Sequence, residues 1–167
     1  TDTSVVTVFS TNAPLNINSF TASTASVCTG QTGVVYSVPT QTNVVFYWSF
    51  SGSGGVMNGS GNAISMDFLN FANSGVLNVY AQNSCSTSPT MSMNITVQQS
   101  PNLIIGGNNT MCQNAQEILT ASGATTYTWS TGATTASETI SPSVMTVYTV
   151  TGTGPSGCIA TKEFTMN

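Results

Sequence analysis

The chain has 167 residues, a formal net charge of −4, no histidine and a single basic side chain, Lys162. Binding to nucleic acid needs several lysines or arginines that displace counterions from phosphates, so the composition excludes that function. Histidine is the usual proton shuttle in catalysis and the commonest metal ligand. Because histidine is absent and the five acids are scattered along the chain, we expect no catalytic residues, no metal site and no cofactor.

The spacing of the cysteines indicates an oxidising compartment. Four cysteines stand far apart, and none belongs to the closely spaced pairs that are typical of zinc sites. Such cysteines form disulfides, which persist outside the cytosol. No apolar run approaches the roughly 18 residues that a membrane-spanning helix needs. We therefore predict an extracellular or cell-surface protein without membrane insertion.

Residues 1–10, TDTSVVTVFS, alternate like a β-strand whose apolar residues are Val5, Val6, Val8 and Phe9. A strand of this kind that stayed exposed would be prone to aggregate. Two placements remain open. It is either an extra edge strand on the domain that follows, or it is donated to a neighbouring copy and builds a head-to-tail filament.

Residues 11–99 are predicted to form a first β-sandwich. Apolar and polar residues alternate at Val34-Tyr36-Val38 and at Ile64-Met66-Phe68, the period of a strand with one buried face. Gly, Asn, Ser and Pro separate such runs, and no stretch sustains the period of a helix. The fold class expected is therefore all-β.

Residues 100–167 are predicted to form a second β-sandwich, joined to the first near Pro101, which cannot donate to a sheet ladder. The order Cys, Trp, Cys occurs once in each half, at Cys28, Trp48 and Cys85 and at Cys112, Trp129 and Cys158. We expect Trp48 and Trp129 to fill the two cores, since a tryptophan within an alternating strand is usually buried. The alternative is an exposed ring that stacks on sugars.

Four cysteines allow three disulfide pairings. We predict Cys28–Cys85 and Cys112–Cys158, one bond in each domain. Four predicted strands separate the second pair, and an even number of antiparallel passages returns the chain to the same end of a sandwich. The first pair follows the same argument only if residues 55–58 do not form a full strand.

Residues 112–158 contain the phrases ASGATTYTWSTGATT and SPSVMTVYTVTGT, and this stretch resembles the Ig-like or PKD-like repeats of large Bacteroidota surface proteins. The phrases VCTGQTGVVYSVP and VLNVYAQNSC of the first half resemble a companion PKD-like module. The resemblance implies an extracellular β-sandwich with a spacing or adhesive role and no catalytic residues. Within the class of structural or adhesive surface proteins, we expect a stalk spacer or a filament subunit, with neighbouring repeats or copies of the chain as partners.

Two alternatives remain open. A carbohydrate-binding β-sandwich would use tyrosine and tryptophan faces, together with Asn and Thr hydrogen bonds, to bind surface glycans. Some surface Ig-like domains also form a Lys–Asn isopeptide bond, for which Lys162 would be the lysine and Glu117 the assisting acid. The simpler expectation for Lys162 is a terminal-strand lysine whose ammonium reaches solvent.

Overall fold

The computed structural model describes residues 13–112 and 115–167. The predicted strand of residues 1–10, with Val5, Val6, Val8 and Phe9, lies outside the described residues. The chain divides into two compact units, and the boundary between them falls between Val97 and Gln98. All the regular secondary-structure elements in the described residues are β-strands, which confirms the all-β fold class.

Thirteen strands are defined within the described residues: β1 Ser26–Cys28, β2 Val34–Ser37, β3 Val45–Phe50, β4 Gly55–Asn58, β5 Ala63–Phe68, β6 Gly75–Gln82, β7 Met91–Gln98, β8 Ile104–Gly106, β9 Glu117–Ser122, β10 Thr126–Trp129, β11 Ser137–Ile140, β12 Thr146–Thr153 and β13 Ile159–Met166.

The first unit contains a four-stranded sheet of order β1-β7-β6-β3 and a three-stranded sheet of order β2-β5-β4. Successive side chains of a strand point to opposite faces of a sheet, so the alternating sequence of these strands gives each sheet one apolar face. The apolar faces meet in a core to which both sheets contribute, as Tyr36 of β2, Met66 of β5 and Leu77 of β6 show. None of these three side chains has accessible surface.

The second unit contains two three-stranded sheets, of order β10-β12-β13 and β11-β9-β8. Its core is built on the same alternation, with Leu119 from β9, Trp129 from β10, and Tyr148 and Val150 from β12. The alternation in β12 buries Tyr148 and Val150, while its other side chains are half-buried or exposed. Each unit therefore has a hydrophobic core of its own.

Strands β10 and β11 together cross the second unit only once, from one end of the sandwich to the other, and we call such a crossing a passage. Each has only four residues; β10 is antiparallel to β12, and β11 is antiparallel to β9. Strands β9 and β12 run in the same direction, since the residues that follow β9 approach the end of β12, where Ala124 lies against Gly152. Strands β10 and β11 therefore also share a direction, and the chain changes sheet between them, at residues 130–136.

Cys28 and Cys158 are the disulfide-bonded cysteines of the described residues, so the predicted pairs Cys28–Cys85 and Cys112–Cys158 are both wrong. In the second unit, Cys112 follows Met111, whose N–H donates to the carbonyl of Asn167. Cys158 lies at the other end of β13, about 25 Å away for a strand of this length. A disulfide needs Cα atoms within about 7 Å. The prediction counted β10 and β11 as two passages, whereas they make one.

In the first unit, residues 55–58 form strand β4, which pairs with β5. Five strands, β2 to β6, therefore separate Cys28 from Cys85. An odd number of passages leaves the two cysteines at opposite ends of the unit, so the condition on which this pairing depended is not met.

Candidate functional site

Two tyrosines are stacked on the outer face of the four-stranded sheet. Tyr47 of β3 and Tyr80 of β6 are direct partners in the antiparallel pair, so both side chains leave the sheet on the same face. Their ring centroids lie 5.1 Å apart and their planes differ by 15°. Tyr47 is 44% exposed, and its ring is stacked on that of Tyr80, which is half-buried.

The alternation of β3 and β6 explains why these two rings face solvent. Phe46 and Trp48, on either side of Tyr47, pack against buried core residues. Val79 and Ala81, on either side of Tyr80, are completely buried. Because neighbouring side chains in a strand point to opposite faces, the tyrosines between them point outward.

An open depression of about 600 Å³ begins at Tyr47. Its other walls are residues 43–45, at the start of β3, and residues 82–84, at the end of β6. Val45 and Gln82 are cross-strand partners, so the depression continues the same face of the sheet. We call the stacked pair of Tyr47 and Tyr80, together with this depression, the tyrosine groove.

Hydrogen bonds order the loop that borders the tyrosine groove. The side-chain Oδ1 of Asn83 accepts the backbone N–H groups of Cys85, at 2.9 Å, and Ser86, at 3.1 Å. The hydroxyl of Ser88, a buried residue, accepts the N–H of Ala81 at 2.9 Å. Walls that are ordered before a ligand arrives lose less conformational entropy when it binds.

The tyrosine groove lies on a sheet face without charge. Residues 43–50 and 75–98, which include β3, β6 and β7, contain no Asp, Glu, Lys, Arg or His. Asn78 of β6 accepts the hydroxyl of Ser92 at 2.7 Å, and it lies on the same face as Tyr80 because the two residues are two positions apart. The face therefore offers an aromatic ring, amides and hydroxyls.

The two tryptophans named from the sequence lie against the cores. Trp129 is 2% exposed, and its indole N–H donates to the carbonyl of Thr135 at 2.9 Å. Trp48 is half-buried, packs against both clusters of the first unit, and donates its indole N–H to the carbonyl of Gly61 at 2.9 Å. The stacked aromatic pair on the outer face of the first unit is Tyr47–Tyr80, which the sequence analysis did not single out.

The residues considered for an isopeptide bond lie on different sheets of the second unit. Lys162 is exposed on β13. Glu117 begins β9, and its Oε1 accepts the backbone N–H of Asn108 at 2.7 Å and its side-chain N–H at 3.1 Å. Lys162 thus reaches solvent from a terminal strand.

A metal ion has no obvious ligand set in the described residues, where no three Cys, Asp or Glu side chains are grouped. The same part of the chain contains no helix that could cross a membrane.

Comparison with protein families links the first unit to a known module, because residues 13–95 match the model of the PKD-like domain. No curated protein matches the chain.

Solved structures to which the chain is similar share little sequence with it. The four N-terminal Ig domains of Dscam1 isoform 6.9 are 14% identical, with a TM-score of 0.35 and coverage of 83% of this chain and 41% of that one. Bovine butyrophilin is 8% identical, with a TM-score of 0.35 and coverage of 92% and 96%. A Bacteroides ovatus protein solved with a mixed-linkage heptasaccharide is 16% identical, with a TM-score of 0.26 and coverage of 83% and 41%. The chain spans less than half the length of the first and third of these.

Proposed function

We propose that the chain is a non-enzymatic structural or adhesive module of an extracellular or cell-surface protein. The observation that carries the proposal is the succession of two compact β units, each with its own hydrophobic core. A unit with its own core can serve as one repeat of an extended chain. The match of residues 13–95 to the PKD-like domain supports the same role.

The disulfide bonding of Cys28 and Cys158 supports the proposed location, because structural disulfides persist in oxidising compartments. The test is protease treatment of intact cells that produce the protein, followed by detection with an antibody raised against residues 13–167. We expect the protein to be digested on intact cells. If digestion requires lysis, the location is wrong.

Within this class, the chain is either a stalk spacer or a filament subunit that assembles head to tail. Sedimentation velocity at rising protein concentration separates these roles, since a heterologous contact that does not close gives species of increasing length. The matched variant lacks residues 1–10. Polymers that this deletion abolishes, in a protein that still melts normally, identify the filament subunit. A monomer at every concentration identifies the spacer.

A further inference from the structure

We propose that the tyrosine groove binds an uncharged glycan, with one pyranose ring stacked on Tyr47. This binding function is additional to the role of a structural module and does not depend on it.

The aromatic part of the argument is the geometry of the stacked pair. A pyranose ring presents an apolar C–H face, which packs against an accessible aromatic ring. Tyr47 is 44% exposed, and Tyr80 lies nearly parallel to it at 5.1 Å. Tyrosine also loses little conformational entropy when it becomes part of a binding surface, because only two side-chain torsions must be fixed.

The polar part of the argument is the composition of the depression next to Tyr47. The hydroxyl groups of a sugar need hydrogen-bond donors and acceptors close to the stacked ring. Asn43, Gln82 and Ser84 line the depression, and they provide amide and hydroxyl groups. A volume of about 600 Å³ is within the range of about 300–1,000 Å³ that small-ligand sites occupy.

The charge distribution selects the class of glycan. Lys162 is the one basic side chain of the whole sequence and belongs to the second unit. A phosphate, sulfate or uronate would therefore find no cationic side chain in the first unit, and the net charge of −4 would repel an anionic polymer. An uncharged glycan avoids both costs.

The test is a titration of the full chain with three neutral oligosaccharides, cellohexaose, xylohexaose and mannohexaose, followed by two-dimensional NMR of backbone amides. Hexagalacturonic acid is the anionic comparison. We expect at least one neutral hexasaccharide to bind and to shift the signals of residues 43–47 and 80–84. Hexagalacturonic acid is expected to cause no shift there.

Three variants assign the binding to the ring. Tyr47→Ala should weaken binding at least about tenfold, whereas Tyr47→Phe keeps the ring and should stay within about threefold. Phe71→Ala is the matched control, because Phe71 is 67% exposed in the same unit but lies outside the tyrosine groove, and it should bind like the parent chain. If Tyr47→Ala fails to fold, Gln82→Ala replaces it and should weaken binding about threefold.

Several results would overturn the proposal. The tyrosine groove is not a glycan site if no neutral hexasaccharide binds, if the shifts lie elsewhere, or if hexagalacturonic acid binds equally well. The same holds if Tyr47→Ala binds like the parent chain. If Tyr47→Ala instead abolishes self-association seen by sedimentation, the occupant of the groove is a second copy of the chain.

Discussion

Glu138 on β11 raises the pKa of Tyr148 on β12 through its negative charge. Burial of the Tyr148 phenol is the larger cause of the raised pKa, and the charge of Glu138 is the smaller one. The Oε2 atom of Glu138 is itself buried and has no hydrogen-bond partner in residues 13–112 and 115–167. A buried carboxylate oxygen without a partner costs free energy. The half-buried Glu138 side chain therefore weakens the second unit through this one oxygen.

Replacing Glu138 should strengthen the second unit. We expect Glu138→Gln to raise the free energy of unfolding by about 1 kcal/mol, because the amide is cheaper to bury than the carboxylate. The substitution also removes the charge that acts on Tyr148, so the pKa of Tyr148 should move down towards its ordinary value. Urea denaturation and an ultraviolet titration of the tyrosines measure the two effects.

Glu163→Gln is the control for this substitution, because Glu163 is exposed on β13. It makes the same change of net charge and should leave stability unaltered. Equal stability of Glu138→Gln and the parent chain would contradict the cost that we assign to the buried carboxylate oxygen.

Gly123 and Gly132 share a backbone conformation but differ in the space around them. Their φ angles are 95° and 96°, a region that costs an L side chain roughly 1–2 kcal/mol. A Cβ on Gly123 would clash with the carbonyl oxygen of Asn102, whereas a Cβ on Gly132 would meet no atom within 4 Å. We expect Gly132→Ala to cost about 1 kcal/mol and Gly123→Ala at least about 3 kcal/mol.

Urea denaturation of the two glycine variants measures the difference, and the shared φ cancels from it. What remains is the close approach of residue 123 to the strand that begins at Ile104. Two variants of equal stability would mean that the backbone near Asn102 moves aside without cost.

Stability at high pH should depend on Tyr36. Burial raises the pKa of Tyr36 to about 12, and its hydroxyl donates to the carbonyl of Thr24 at 2.9 Å, which a phenolate could not do. An unfolded tyrosine has a pKa near 10. The contribution of Tyr36 to the free energy of unfolding is therefore complete below pH 10 and is lost as the pH rises towards 12.

Two pKa units correspond to less than about 3 kcal/mol, so the free energy of unfolding should fall by at most that amount because of Tyr36. The measurement is urea denaturation at pH 9 to 12. Tyr36→Phe carries no titrating group and should show a shallower fall, although it starts from a lower stability. Parallel curves for the two proteins would rule out Tyr36 as the source.

Cys112 should react without unfolding, since it is an exposed free thiol. Alkylation of the native, unreduced protein is expected to label Cys112, while the peptides that contain Cys28 and Cys158 become labelled only after reduction. Cys112→Ser should melt at the same temperature as the parent chain. Recovery of Cys112 and Cys158 in one disulfide-linked peptide would contradict the structure.

The alternation of apolar residues predicted the cores well, because burial follows directly from strand period. Tyr36, Met66 and Phe68 were expected on buried faces and have 0–1% accessible surface. The fold class follows from the same pattern. The direction of each strand does not follow from this pattern. In the sequence, β10 and β11 look like two strands of opposite direction, whereas in the structure they run in the same direction in different sheets.

The tyrosine groove was not predicted, for a related reason. The alternation alone predicts that Tyr47 and its neighbour Trp48 point to opposite faces of the sheet, and that Tyr80 and its neighbour Val79 do the same. Both tyrosines are therefore expected on the outer face. Their contact, however, depends on the register of β3 against β6, which sets Tyr47 directly beside Tyr80. Register between strands about thirty residues apart is fixed by the packed cores, and a local pattern does not contain it.

The change of sheet after Trp129 affects how the second unit opens. The backbone N–H of Trp129 donates to Ala133, and that of Gly132 donates back to Trp129, so the crossing segment is closed on itself beside a core side chain. This segment joins the two sheets of the unit, because β10 belongs to one sheet and β11 to the other. The backbone hydrogen bond of Trp129 lies inside the segment, so the exchange of its amide hydrogen with solvent deuterium reports how often the crossing between the sheets opens.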